Sequence, residues 1–210
     1  MNERTGESPI TWSALLLAGG ESRRMGRHKA TMEFQGKPMW ERQLQTLRDL
    51  APQKILVSAR TRPRWLPHDV ELVLDDAPSR GPLSGVTKAL AVMDTTHLIV
   101  LAVDMPFMTA PKLRELCNLV DEDRGVVPII GERVEPLAAI YPATGAKEFR
   151  CALVGSDFSL RSLVQELAAN DKVKVFPISA EESRFYDSVN EPGDLKEGRF
   201  PNRPSCDGGL

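Results

Sequence analysis

The first 120 residues alternate between short, uniformly apolar runs and segments in which apolar residues recur every three or four positions. A uniformly apolar run predicts a strand buried on both faces, and the second spacing predicts a helix with one buried stripe. Their regular alternation is typical of a parallel sheet covered by helices. The predicted strands are Leu15-Leu16-Leu17, 54–59, 70–74 and 97–103, and the predicted helices are 38–50, a segment with Val86, Leu90 and Met93 on one face, and 110–120.

The second half of the chain is less regular. Its apolar pattern predicts a strand pair at 126–130 and 136–141 with a turn at Gly131-Glu132, helices at 143–154 and 159–169, a strand at 173–178, and a short extended piece at 185–190. We therefore expect an α/β fold in three layers, with a mostly parallel central sheet and helices on both of its faces.

Composition adds limits to this picture. A chain of 210 residues is long enough for one sizeable core, and we expect a single domain at 11–195 between a disordered lead at 1–10 and a disordered tail at 196–210. The formal net charge of −2 gives no support to nucleic-acid binding. Three scattered cysteines and three scattered histidines exclude a zinc motif or a disulfide framework. Without a long apolar run, the chain is expected to be cytoplasmic and to make no membrane contact.

The richest local signal follows the first predicted strand. Gly19-Gly20 ends the leucine run and leads into a loop with Arg23, Arg24 and Lys29. Glycines let backbone N–H groups approach a polyphosphate, and the cations supply countercharge. The spacing fits neither a Walker loop nor the dinucleotide fingerprint, and a solvated basic surface loop is the alternative.

Two aspartates lie just beyond predicted strand ends. Asp75 follows the third strand and Asp104 follows the fourth. The carboxyl ends of parallel strands form the ligand-binding edge of open α/β sheets, so both should face a ligand there. Asp104 opposite the cationic loop suits Mg²⁺, which commonly takes one or two protein carboxylates and draws other ligands from phosphate and water. The alternative role for Asp104 is to cap the helix that begins at Ala110.

Several short motifs together resemble the molybdenum cofactor guanylyltransferases, a family of Rossmann-like nucleotidyltransferases. No single motif is specific, but they occur in the family's order and span residues 14–195. The chain departs from the family pattern at His28, Ser58 and Ser188. The motifs are Leu17-Ala18-Gly19-Gly20, Arg23-Arg24-Met25-Gly26 with Lys29, Asp75, Gly81-Pro82-Leu83-Ser84-Gly85, Asp104-Met105-Pro106, Glu135-Pro136-Leu137 and Val189-Asn190-Glu191-Pro192.

The resemblance implies a role for each matching position. Asp104 would bind both GTP and Mg²⁺, and Arg24 and Lys29 would act with it in catalysis. Pro136 and Asn190 would lie on the molybdopterin side. The implied nucleotide contacts are Leu17, Ala18, Gly19, Gly20, Lys29, Ser58, Asp75, Gly81, Pro82, Leu83, Gly85 and Asp104.

The implied reaction transfers GMP from GTP to molybdopterin, with Mg²⁺ as cofactor and pyrophosphate as the second product. A monomer is expected, with transient contacts to molybdenum-insertion or acceptor proteins. Two alternatives stay open: a cytidylyl- or sugar-phosphate nucleotidyltransferase of the same fold, and a nucleotide-binding module without turnover. Gly19 favours guanine because a residue without Cβ leaves room for a purine edge.

Overall fold

The computed structural model describes residues 9–19, 29–75 and 78–189. Ten strands and five α-helices are present in this part of the chain. The strands are β1 (Trp12–Leu17), β2 (Glu33–Phe34), β3 (Lys37–Pro38), β4 (Lys54–Ala59), β5 (Glu71–Leu74), β6 (His97–Ala102), β7 (Gly125–Ile130), β8 (Arg133–Val134), β9 (Ala138–Pro142) and β10 (Val173–Pro177). The helices are α1 (Met39–Arg48), α2 (Pro82–Val92), α3 (Ala110–Cys117), α4 (Ala146–Val154) and α5 (Leu160–Ala169), and 3-10 turns cover Lys29–Thr31, Ala143–Gly145 and Ser183–Tyr186.

One sheet contains all the longer strands, in the order β10-β7-β9-β6-β1-β4-β5, while β8 pairs with β7 and β2 with β3. Strand β1 pairs in parallel with both β4 and β6. Strand β9 is antiparallel to β6 and β7 on either side of it. The predicted α/β class with a mostly parallel sheet is therefore confirmed, with one reversed strand inserted into it.

Two hydrophobic cores cover the two faces of the sheet. One core receives Leu44 of α1 and Leu113 of α3, and the other receives Val86 of α2 and Phe149 of α4. Consecutive residues of β1 alternate between the cores, so every residue from Ser13 to Leu17 is buried. A strand that is buried on both faces has no solvent-facing positions at which polar side chains are favoured, which explains the unbroken apolar run in the sequence.

The structure corrects the prediction at three places. Residues 185 and 186, predicted as extended, belong to the 3-10 turn Ser183–Tyr186, whose last side chain is buried in the core. The predicted helix at 143–154 begins with a separate 3-10 turn. The turn after Ile130 leads first into the two-residue strand β8 and only then into β9.

The predictions about the two ends of the chain stay predictions. The predicted lead at 1–10 and tail at 196–210 fall largely or wholly outside the described residues, and the limits of the single domain stay a prediction. Within the described ranges, no helix has the length and apolar character needed to cross a bilayer.

Candidate functional site

The carboxyl ends of β1, β4, β5, β6, β7 and β10 meet at one edge of the sheet, which we call the ligand edge. The chain leaves β1 through Leu17, Ala18 and Gly19, and its course is fixed by both neighbouring strands. Ala18 N donates to Ser58 O at 2.9 Å, and Val103 N donates to Leu17 O at 3.1 Å. The predicted glycine is thereby held at the centre of the edge that was expected to bind ligand.

Asp75 lies on one side of this glycine and is held by two serine hydroxyls. Ser58 Oγ donates to one carboxylate oxygen at 2.8 Å, and Ser79 Oγ donates to the other at 2.9 Å. An ideal Cβ at Gly19 would lie 3.4 Å from Asp75 Oδ2, which is ordinary van der Waals contact. Ser58 therefore orients an acidic side chain that faces Gly19. The nucleoside contact that the family resemblance implies for this serine stays a prediction.

Helix α2 begins at the same side of the ligand edge. Gly81 caps it with φ 66°, a conformation that favours glycine, and Pro82 occupies the first turn. Leu83 is buried beneath it. Gly85 packs so closely that a Cβ there would lie 2.3 Å from Ser58 Oγ. The glycines of this motif thus serve backbone geometry and close packing, and the helix N-terminus that they position suits an anionic ligand.

Asp104 and Lys29 form the central charged pair of the candidate site. Lys29 Nζ donates to Asp104 Oδ2 at 2.7 Å, and their side chains are 16% and 21% exposed. Asp104 does not cap α3, because the capping side chain is that of Thr109, whose Oγ1 accepts from Lys112 N. The capping alternative for Asp104 is wrong, which leaves its carboxylate available for ligand chemistry.

The backbone around Asp104 is held from two directions. Val189 N donates to Asp104 O at 2.7 Å. The amide of Gln43, a buried residue of α1, donates to Met105 O, and Arg42 Nε donates to Pro106 O at 2.9 Å. The supporting roles of Gln43 and Ser79 were not predicted from the sequence, because a single polar residue on a helix or in a loop belongs to no motif from which its contacts could be inferred.

Glu135 and Pro136 occupy the other half of the ligand edge, on the far side of Asp104 from Asp75. Leu137 O accepts from Ala102 N at 2.8 Å, which joins this segment to the end of β6. Pro136 O accepts from the buried Tyr141 hydroxyl at 2.8 Å, and burial raises the pKa of that phenol. Burial also raises the pKa of the Glu135 carboxyl.

Four predicted site residues, Gly20, Arg23, Arg24 and Asn190, lie outside the described residues, so their part in the site stays a prediction. Among the residues that the structure describes, no group of three or more His, Cys, Asp or Glu could hold a metal ion.

Solved structures define the class of fold. The chain is similar to molybdopterin-guanine dinucleotide biosynthesis protein A from Archaeoglobus fulgidus, with 23% identity, a TM-score of 0.68, and coverage of 88% of this chain and 95% of that one. It is also similar to 2-C-methyl-D-erythritol 4-phosphate cytidylyltransferase from Thermus thermophilus, with 18% identity, a TM-score of 0.60, and coverage of 87% and 94%. The fold is that of the Rossmann-like nucleotidyltransferases.

Sequence comparison gives the family. Residues 14–173 match the MobA-like NTP transferase domain, and the chain belongs to this family. A protein from Opitutus terrae named "Probable molybdenum cofactor guanylyltransferase" is 34% identical over 187 residues, which cover 88% of this chain and 93% of the relative. The molybdenum cofactor guanylyltransferase of Pseudomonas fluorescens is 34% identical over 140 residues, covering 64% of this chain and 70% of that protein. The family resemblance predicted from the motifs is confirmed.

Proposed function

We propose that this protein is a molybdenum cofactor guanylyltransferase that transfers GMP from GTP to molybdopterin. The observation that carries the proposal is the ligand edge itself, where the Lys29–Asp104 pair lies between a glycine-lined side at Gly19 and a second side at Pro136. A nucleotidyl transfer needs these three parts: a base site, a charged centre for the phosphates, and an acceptor site. The names of the similar proteins from Opitutus terrae and Pseudomonas fluorescens supply the two substrates.

In the proposed reaction, a terminal phosphate oxygen of molybdopterin attacks the α-phosphorus of GTP. The new P–O bond forms as the bond to the bridging oxygen of pyrophosphate breaks, and pyrophosphate leaves with that electron pair. The attacking phosphate is already anionic, so no general base is needed. Catalysis then depends on alignment of the two substrates and on neutralisation of charge, which are the usual contributions of protein groups to phosphoryl transfer.

Lys29 and Asp104 neutralise one another in this structure, and their geometry suggests how they respond to substrate. Incoming phosphate oxygens compete with Asp104 for the ammonium group of Lys29, since they carry the same sign of charge at higher density. We expect Lys29 to transfer its hydrogen bond to phosphate, which leaves the Asp104 carboxylate able to hold Mg²⁺. When bound there, Mg²⁺ would neutralise charge on the phosphate oxygens.

Base choice is the step at which the main alternative, cytidylyl transfer, differs. The fold is shared with a cytidylyltransferase from Thermus thermophilus, so it does not discriminate between the bases. The carboxylate beside Gly19 favours guanine: Asp75 Oδ2 lies 3.4 Å from the position that a Cβ of this glycine would take. Guanine offers adjacent N–H donors that such a carboxylate can accept, and cytosine lacks that edge.

The proposal is tested by pyrophosphate release with each of the four nucleoside triphosphates, Mg²⁺ and molybdopterin, with the dinucleotide product identified by mass spectrometry. We expect GTP to be used at least about tenfold better than CTP, a difference of about 1.4 kcal/mol. A preference for CTP would replace guanylyl by cytidylyl transfer. Binding of GTP with no turnover by any acceptor would support the non-catalytic alternative.

The role of Asp104 is tested in the same assay. Asp104→Asn keeps the shape of the side chain and removes its charge, and it should lower turnover by more than about tenfold, equivalent to about 1.4 kcal/mol. Asp69→Asn is the matched control, because it makes the same change in an ion pair far more exposed to solvent, that of Arg48 with Asp69. It should retain wild-type turnover. Equal rates for the two variants would remove Asp104 from the proposed centre.

A further inference from the structure

Glu135 is a carboxylate on the acceptor half of the ligand edge, and one of its oxygens, Oε1, accepts no hydrogen bond from the described residues. Its side chain is only 13% exposed, and Oε1 is buried without a hydrogen bond from any described residue. Buried polar atoms in folded proteins nearly always have a partner, so a buried carboxylate oxygen without one needs an explanation. A ligand that donates hydrogen bonds would supply the missing partner.

The one charge in direct contact with this carboxylate, within the described residues, does not explain its burial. Arg133 Nε lies 2.7 Å from Glu135 Oε1, but the contact is not aligned as a hydrogen bond. Arg133 itself is 64% exposed, and exposed ion pairs contribute little to stability. Its side chain can therefore move aside at low cost when a ligand arrives.

The position of Glu135 relates it to the acceptor rather than to GTP. Leu137, two residues further on, accepts from Ala102 at the end of β6, while Asp104 follows two residues after Ala102. The base-side carboxylate, Asp75, follows β5, which β4 and β1 separate from β6. Glu135 thus lies near the charged centre, on the side that is opposite to the predicted nucleoside contacts.

The charge around Glu135 decides which part of an acceptor can bind there. Asp187 is close enough to raise the pKa of Glu135 further, in addition to the larger effect of burial, while Arg133 opposes both. Two acidic groups repel a phosphate, so the anionic end of the acceptor should point away from them, toward Lys29. A neutral group with N–H donors is the ligand chemistry that fits a poorly solvated carboxylate.

We propose that Glu135 binds the pterin ring of the acceptor by accepting hydrogen bonds from its ring N3–H and its 2-amino group. These two donors are adjacent and parallel, which is the arrangement that the two oxygens of one carboxylate can accept together. The inference rests on the proposed function, because it takes molybdopterin as the acceptor. It adds a specificity residue that lies outside the predicted contacts of the nucleotide.

The first test measures KM for molybdopterin at saturating GTP and Mg²⁺. Glu135→Gln should raise this KM by at least about tenfold and leave KM for GTP within about twofold of wild type, because only the acceptor contacts change. Glu132→Gln, the same change at an exposed residue of the same hairpin, should have no effect. Arg133→Gln separates ligand binding from the ion pair, and it should not reproduce the Glu135→Gln effect.

The second test uses pterin-ring probes as inhibitors. We expect 6-hydroxymethylpterin to inhibit wild type more strongly than 6-hydroxymethyllumazine, which carries a C2 carbonyl in place of the amino group. In Glu135→Gln the preference should reverse, because the new amide can accept from N3–H and donate to that carbonyl. A purely structural role for Glu135 would not exchange the two preferences.

The outcomes separate this inference from the function on which it rests. If wild type transfers GMP to molybdopterin but Glu135→Gln keeps the wild-type KM for molybdopterin, the inference is overturned and the function stands. The same holds if Arg133→Gln matches Glu135→Gln, or if the two probes inhibit wild type equally or not at all. If wild type transfers no GMP to molybdopterin, both the function and the inference fail.

Discussion

Replacing Gly85 by alanine should disturb both folding and nucleotide use, because this glycine permits the close approach of α2 to β4. The added Cβ would lie 2.3 Å from Ser58 Oγ, 2.8 Å from Ser58 Cβ and 2.9 Å from Leu17 Cδ2. Contacts this short do not occur between real side chains, and rotation of the serine relieves only the first. The helix must therefore move away from the sheet or the strands must shift.

The cost follows from the behaviour of overpacked cores. One extra methyl group in a tightly packed site typically costs about 1–3 kcal/mol. For a chain of this size, that corresponds to a loss of roughly 2–12 °C in Tm. Any shift of Ser58 also weakens its 2.8 Å hydrogen bond to Asp75, so KM for GTP should rise together with the loss of stability.

Denaturant unfolding and GTP kinetics, measured on the same preparations, test this reasoning. Gly155→Ala is the matched control, because its added Cβ would meet the nearest carbonyl oxygens at 3.4 and 3.5 Å, and its stability should stay within about 0.5 kcal/mol of wild type. The double variant Ser58→Ala/Gly85→Ala should be less destabilised than the sum of its single changes by about 1 kcal/mol, because Gly85→Ala already displaces the serine hydroxyl from Asp75 and that hydrogen bond is lost only once. Strictly additive effects, or a Gly85→Ala protein as stable as the control, would refute the packing argument.

Three further predictions concern base choice, phosphate contact and pH. Gly19→Ala should fold normally, because its methyl would lie 3.4 Å from Asp75 Oδ2, but kcat/KM for GTP relative to CTP should fall; an unchanged ratio would remove this glycine from base selection. Lys29→Ala should reduce kcat/KM more than Arg27→Ala, and equal losses would indicate another principal phosphate contact. Burial lowers the pKa of His97, so the free energy of unfolding should fall as pH drops below about 6.5, where only the unfolded chain gains the proton, and His97→Gln should flatten this dependence in urea titrations between about pH 5 and 7.

The first half of the fold could be predicted from the sequence because its strands are enclosed on both faces. The predicted strand at 54–59 coincides with β4, and β1 is buried as its leucines indicate. The strand pair predicted at 126–130 and 136–141 is present as antiparallel β7 and β9, but the insertion of β9 between β7 and β6 could not be predicted, since a buried apolar run does not show which strands lie beside it. The hairpin β2–β3 was missed because its two-residue strands are too short to establish any period.

In the candidate site, too, features that follow from the local sequence could be predicted, and contacts between distant residues could not. Gly19, Asp75 and Asp104 could be located because each follows a recognisable strand, and strand ends converge by topology. The Lys29–Asp104 contact joins residues 75 positions apart, so only the folded chain shows it. Residues 185 and 186 of the predicted extended piece are wrong for a related reason: Lys112 binds Glu182, the residue that caps the 3-10 turn, and the burial of Tyr186 at the end of this turn favours it.

The distribution of charge along the ligand edge gives a physical reason for the order in which the proposed substrates lie. Asp75 at one end and Glu135 at the other are carboxylates in partly buried surroundings, and each disfavours a phosphate nearby. Lys29 lies between them, so the phosphates of both substrates are most stable at the centre. Guanine and pterin share the same pair of adjacent N–H donors, which suits one carboxylate at each end. The two ring systems are thereby drawn apart while their phosphates are drawn together, and this is the alignment that an attack on the α-phosphorus requires.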